Sequence, residues 1–378
     1  MSIHVLVFFL CASLGTAHSE GIVDLIKPII LNRHELEVAA LLGAPHMHHM
    51  HDVYGKLIPI TTDRGPPIDL NGEVTFKLYT KQKPSEGREL KINDATSLTN
   101  SGFHSSKPTY MIAHGWQSNE NGSCGLIRDA YLANIDANVI VIDWSSHSMS
   151  YNYIDVTYVI KSIGERVKLF IKWLYANGLK ADDLILVGHS LGAHVMGLAG
   201  YGLTPQVSHI VGLDPALPMF NYATVTDALS RMGAKHVQII HTNAGYLGYA
   251  CPHGHSDFYL NDGTNQPGCC DLYPFVCSAC SHSRAVALFA ESITMDFNGT
   301  ECLNYNLFKT NNCAKDARIQ RMGGLIPESG ISGSLYVRTN HRAPFSKVSE
   351  AGDIQYAKLL DILPTPVAGC GWLYGSET

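Results

Sequence analysis

The first sustained apolar stretch of the chain runs from Met1 to Leu14 and is followed by the small residues Gly15, Thr16 and Ala17. It is too short to span a bilayer and has the form of a signal peptide, so residues 1–17 are expected to direct secretion and be removed. Residues 18–59 are irregular: an apolar piece from Ile22 to Leu31 is broken by Pro28, and the tract His46-Met-His-His-Met-His51 follows. Imidazoles at this spacing can share a transition metal. With no rigid scaffold evident to fix them, the segment reads as a solvated N-terminal extension or pro-segment.

From Val74 the pattern becomes regular. Val74 to Tyr79 alternates as a half-buried strand, while Tyr110 to Ala113, Asn138 to Asp143 and Asp183 to Gly188 are short apolar runs suited to strands covered on both faces. Between the last two, Val159, Ile163, Val167, Phe170 and Leu174 recur at helical spacing, and Asn177-Gly178 supplies the stop. A Gly- and Ala-rich helix through Gly200 comes next; a further helix is predicted over Ser283 to Ile293, and Ser334 to Arg338 alternates as a strand. Strands alternating with helices predict a mainly parallel sheet flanked by helices, over residues 60–346, with residues 347–378 as a C-terminal tail.

Composition narrows the classes. Apolar residues at 46% and charged residues at 16% describe an ordinary globular protein. A net charge of -6 and the absence of any basic run argue against nucleic acid as a partner. No later apolar run reaches membrane-spanning length. Ten cysteines, all but Cys11 beyond the signal segment, suit an oxidising compartment. Asn121-Gly-Ser and Asn298-Gly-Thr are glycosylation sequons usable on the same secretory route.

The chemistry centres on Gly188-His-Ser-Leu-Gly192, which follows an apolar strand and precedes a helix. In that setting Gly-x-Ser-x-Gly predicts a strained strand-to-helix turn presenting Ser190 as nucleophile, the elbow of the α/β-hydrolase fold; in isolation the glycines would mark only a turn. A serine hydroxyl needs a base, and the base needs an orienting carboxylate, in the chain order Ser, acid, His. Asp214 directly follows the apolar run Ile210-Val-Gly-Leu, which puts it at the carboxyl edge of the sheet beside Ser190; Asp227 and Asp257 are rivals without so clear a strand. For the base, His236, His241, His253, His255 and His282 compete. His241 reads as strand interior, His253 and His255 as loop surface groups, and His282 is preferred because it abuts a cysteine and a helix. Oxyanion donors are expected at the backbone N–H of Leu191 and at that of Trp116, in the turn after Tyr110 to Ile112.

His114-Gly-Trp116, Asp143-Trp144, Gly188-His-Ser-Leu-Gly-Ala-His194, Gly212-Leu-Asp-Pro-Ala216, Ile240-His-Thr242, Gln266-Pro-Gly-Cys269 and Cys280-Ser-His-Ser-Arg284 together resemble the pancreatic lipase family of secreted neutral lipases and phospholipases A1, over roughly Val74 to Phe345. The resemblance implies an α/β-hydrolase fold, nucleophile, acid and base at Ser190, Asp214 and His282, oxyanion donors at Trp116 and Leu191, a lipid substrate and no cofactor. It also implies a lid between Cys269 and Cys280 and a bridge between Cys302 and Cys313; inside the lid Cys270 and Cys277 can form a second bridge, and Cys124, Cys251 and Cys370 are left unassigned.

Departures from the classical members sharpen the expectation. The lid cysteines enclose too few residues for a long helical lid, and the second flap, between Thr242 and Asp257, is short. Short flaps accompany phospholipase A1-like members of the family. The apolar stretch Leu272 to Val276 is a candidate for contact with a lipid interface. Apart from Asp227, no calcium-binding carboxylates follow the acid, so no metal is expected. The C-terminal β-sandwich that meets colipase is missing, so colipase is not an expected partner. A triacylglycerol lipase is the near alternative, and a lipase-like protein that binds or stores lipid without turnover is the alternative of another class.

Overall fold

The computed structural model describes residues 70 and 72–347, apart from 221–222, 270–273 and 331, together with the backbone of 49–51 and 57–59. The signal segment 1–17, most of the extension 18–59, Cys270, Cys370, the side chains of Leu272 to Val276 and the tail beyond 347 lie outside the described residues. Part of the His-Met tract forms β1 (His49–His51), paired antiparallel with β2 (Leu57–Pro59).

All other described strands join one 11-stranded sheet. They are β3 (Thr75–Thr80), β4 (Lys83–Leu90), β5 (Thr109–Ala113), β6 (Asn138–Asp143), β7 (Leu184–His189), β8 (His209–Leu213), β9 (His236–His241), β10 (Ser256–Leu260), β11 (Asn298–Glu301), β12 (Ile319–Arg321) and β13 (Gly333–Val337). The order across the sheet is 12-11-13-10-9-8-7-5-6-3-4. From β6 through β13 the neighbours are parallel, and antiparallel strands finish both edges.

Strand parity decides what each face meets. Met111, Ala113, Ile140, Ile142, Leu184 and Leu186 face one core, which α4 (Tyr153–Ala176) and α5 (Leu191–Gly200) close. Tyr110, Ile112, Val139, Val141, Ile185 and Val187 face the other, beneath α2 (Ser123–Asn134) and α6 (Pro274–Ser292). Because both faces are covered, the central strands carry no polar alternation. Three short helices, α1 (Ala95–Thr99), α3 (Ser145–Ser148) and α7 (Tyr305–Lys309), lie in connections.

Helix α4 starts earlier than the apolar spacing alone suggests, because the Asn152 side chain accepts the Ile154 N–H at 3.2 Å and caps it. It ends at Asn177 with Gly178 at φ 94°. Its buried stripe includes Phe170, whose ring stacks on Phe76 of β3 with centroids 3.8 Å apart. Helix α5 is buried at every residue, so it needs small side chains: a Cβ on Gly164 of α4 would sit 2.6 Å from Leu198 of α5.

The helix expected to begin at Ser283 begins at Pro274 instead, so the lid's second half and His282 are helical. Proline is well placed to open a helix, where no N–H is required. Cys277, Ser281, Ala285 and Phe289 then repeat every four residues as a buried stripe, a pattern the serines and cysteines obscure in sequence. Bridges join Cys269 to Cys280 and Cys302 to Cys313. Cys251 and Cys277 are each disulfide-bonded, and the expected bridge from Cys277 to Cys270 reaches a residue outside the described ones. Cys124 of α2 is a free thiol with no exposed surface.

Candidate active site

The site lies along the carboxyl ends of β5, β7, β8 and β9. After β7, which is buried throughout, the chain turns at Ser190 with φ 57° and ψ -124° and enters α5 at once. A left-handed serine costs on the order of 1–3 kcal/mol, and close packing on both sides enforces it. A Cβ on Gly188 would collide with the Gly192 carbonyl, and one on Gly192 with the Ala113 carbonyl. The turn is also held from the neighbouring strand, since the Ser190 N–H donates to the Leu213 carbonyl at 3.0 Å.

The loop after β5 passes directly against the serine. A Cβ on Gly115 would sit 2.7 Å from the Ser190 Cβ and 3.2 Å from its Oγ, so only glycine fits there. This brings the 114–116 backbone beside the first turn of α5. Leu191 is the first residue of that helix, where N–H groups have no acceptor within the helix and the dipole favours negative charge.

Residues that the sequence reading left without a role hold this loop. The Trp144 indole donates to the His114 carbonyl at 3.0 Å, its ring stacks parallel to the His114 imidazole, and His114 Nε2 lies 3.3 Å from both the Asp143 carboxylate and the Trp144 N–H. Burial alone would raise the Asp143 pKa, but hydrogen bonds from His114 and Ser145 outweigh it and bring it down to about 2. On the outer side the Trp116 indole donates to the Ser150 carbonyl at 2.7 Å.

Asp214 directly follows β8 at φ 42° and is fully buried. Its Oδ1 accepts the backbone N–H groups of Thr242 and Asn243 at 2.8 and 2.9 Å, and its Oδ2 accepts from His282 Nδ1 at 2.6 Å. Gly248 packs on the far side, where any Cβ would fall on the carboxylate. His282 therefore has Nδ1 committed to the acid, which leaves Nε2 as the basic nitrogen on a ring 13% exposed. His189, the residue before Ser190, meets His282: its ring lies 4.8 Å from the His282 ring, and its Nε2 is 3.1 Å from the His282 carbonyl.

His194, in the same motif as the serine, braces the acid's loop. Its Nδ1 accepts the Leu229 N–H at 3.3 Å, so its Nε2 carries the proton and donates to the Ala216 carbonyl at 2.7 Å. Two rivals from the sequence pair with each other instead: His241 Nε2 meets Asp257 Oδ1 at 2.8 Å, both without exposed surface. His253 and His255 are half-buried rather than surface groups. His255 Nδ1 accepts the Val237 N–H at 2.9 Å, which ties its loop to the sheet. Asp227 pairs with Lys161 at 3.5 Å. The backbone donors at Thr242 and Asn243 and the contact of Gly248 were invisible in sequence, although Ile240-His-Thr242 marked the place.

A family model described as Lipase matches residues 60–345. The chain is 34% identical over 293 residues to phospholipase A1 member A of Bos taurus, an alignment covering 73% of this chain and 63% of that protein. It is 31% identical over 247 residues to lipase member H of Xenopus tropicalis, covering 64% and 53%. To lipoprotein lipase of Homo sapiens it is 31% identical over 304 residues, covering 72% and 63%. The chain thus matches less than two thirds of the length of these relatives.

Proposed function

The chain belongs to the Lipase family, and on that premise we propose that it is a secreted serine hydrolase that cleaves the sn-1 acyl ester of phospholipids. The observation that carries this is the 2.6 Å contact of His282 Nδ1 with Asp214, beside the glycine-bracketed turn at Ser190.

In the reaction, His282 Nε2 takes the Ser190 hydroxyl proton as Oγ attacks the ester carbonyl. The N–H groups of Leu191 and Trp116 receive the oxyanion. The imidazolium, steadied by Asp214, returns its proton to the departing lysophospholipid alcohol and leaves an acyl-serine. Water, activated by the same imidazole, then releases the fatty acid and restores the serine.

Preference for phospholipid rests on the short bridge from Cys269 to Cys280, which leaves little chain for a covering lid, and on the likeness to phospholipase A1 member A. Likeness to lipoprotein lipase makes triacylglycerol the competing substrate. Secretion belongs to the same proposal. Disulfides of this number suit an oxidising compartment, and Asn121 and Asn298 are both exposed, as glycan acceptors must be.

The test is fatty-acid release from sn-1- or sn-2-labelled phosphatidylcholine beside triolein, with Ser190→Ala as control. The expected result is sn-1 label released fastest and no release by the variant. Predominant triolein turnover would move the protein to the triacylglycerol class. Failure of a fluorophosphonate to label the folded protein at Ser190 would make it a lipid binder.

A further inference from the structure

His189 lies between the nucleophile and the base, yet the reaction above gives it no step. It is the last residue of β7, only 8% exposed, and next in the chain to Ser190. Its ring is tilted 42° to that of His282, and its Nε2 is 3.1 Å from the His282 carbonyl oxygen. A carbonyl only accepts, so Nε2 carries the proton. The titratable groups that face this ring are His282 and, farther off, His114.

The other anchors of α6 near the base lead elsewhere. The Gln266 N–H donates to Ser281 Oγ at 2.9 Å, Ser278 Oγ bonds Asn243 at 2.6 Å, and Cys280 is bridged to Cys269. These tie the helix to the acid's side of the site and to the chain before the lid. The bond from His189 ties it to the strand that ends in the nucleophile. It grips the backbone one bond from the Cα that bears the catalytic imidazole.

We propose that His189 is a positioning residue whose Nε2–H, by holding the His282 carbonyl, sets the reach from the Ser190 hydroxyl to the His282 imidazole independently of the Asp214–His282 contact. The inference rests on the reaction proposed above. The ring must also stay neutral, because a second cation would oppose the imidazolium formed when His282 takes the serine proton. Burial against His282 supports this, pushing the His189 pKa down to about 3.

The test compares His189→Leu and His189→Met, which fill space without donating, with His189→Gln, whose side-chain N–H reaches a similar position. Each is assayed on a soluble p-nitrophenyl ester and by the rate of fluorophosphonate labelling, in preparations whose near-ultraviolet circular dichroism matches the parent. Expected for the two non-donors are a kcat lowered at least tenfold, a KM changed less than twofold and slowed labelling, with Gln restoring most of both rates. Parental kcat in either folded non-donor overturns the proposal, as does a folded Gln variant as slow as Leu. Ser190→Ala run alongside separates this from the parent reading: hydrolysis surviving in that variant would sink the reaction itself, whereas its loss with normal rates in the His189 variants would sink the positioning role alone.

Discussion

Beside the His114–Asp143 contact, two further histidine–aspartate pairs stand in neighbouring strands and loops of the sheet, and the proposed reaction uses only one of them. In His282–Asp214 the contact is 2.6 Å, and the histidine meets its acid through one ring nitrogen on a ring that is 13% exposed. In His241–Asp257 the contact is 2.8 Å with no exposure on either side, and the second ring nitrogen faces the Tyr249 carbonyl at 2.9 Å. Asp257 also accepts the N–H groups of His253 and Gly254 at 3.1 and 3.0 Å. Pair identity and distance therefore do not distinguish a base from a brace. Whether the second ring nitrogen is already committed does, as that of His241 is to the Tyr249 carbonyl.

The two pairs are also in series. His241 closes β9, and the next two residues supply the N–H groups that clamp Asp214. The inner pair fixes the segment that orients the outer one.

The largest expected effect separates them outright. His282→Ala or Ser190→Ala should lower kcat by roughly four to six orders of magnitude, the serine variant with its urea midpoint near the parent. A residual kcat within tenfold of the parent would remove the outer pair from the reaction. Next comes Gly248→Ala, whose Cβ must displace the Asp214 carboxylate; a shift of about 1 Å should cost on the order of 10²-fold in kcat. Parental kcat with a normal fold would show the acid's placement to be loose.

The inner pair should reverse the pattern. Asp257→Ala leaves a buried imidazole and two backbone donors without their acceptor, so stability should fall by about 3–5 kcal/mol. Activity per folded molecule should drop far less than with His282→Ala. Urea unfolding with an unchanged slope, alongside titrated active sites, measures both.

The smallest effect, taken per pH unit, concerns histidines outside either pair. Burial pushes His189 down to about 3; burial and the neighbouring His255 and His209 push His236 down to about 4. Unfolded, each binds a proton near pH 6.5. Between about pH 6.5 and 3 the unfolded chain holds more protons, so stability should fall as pH drops, by up to about 1.4 kcal/mol per pH unit for each proton taken up. Urea midpoints that do not move between pH 7 and 5 would show these rings to be hydrated.

The central strands and the serine turn were legible because each depends on local pattern: β5, β6 and β7 are continuous apolar runs, and the turn is bracketed by glycines that nothing larger can replace. The start of α6 was not, because serines and cysteines line its buried stripe and disguise the period. The clamp on Asp214 was illegible for another reason. Its donors are main-chain N–H groups 28 and 29 residues away, to which any side chain contributes alike. Asp143, Trp144 and His194 stood in recognisable motifs, but their work is done on distant partners, Asp143 and Trp144 at His114 and His194 at Ala216 and Leu229.

Cys124 gives the molecule a built-in reporter. Its thiol is sealed within α2 and burial drives its pKa well up, so an alkylating reagent has neither access nor thiolate to attack until that helix opens. The pace of iodoacetamide capture at this one position, read by peptide mass, thus clocks the opening of the sheet's second face without any engineered probe.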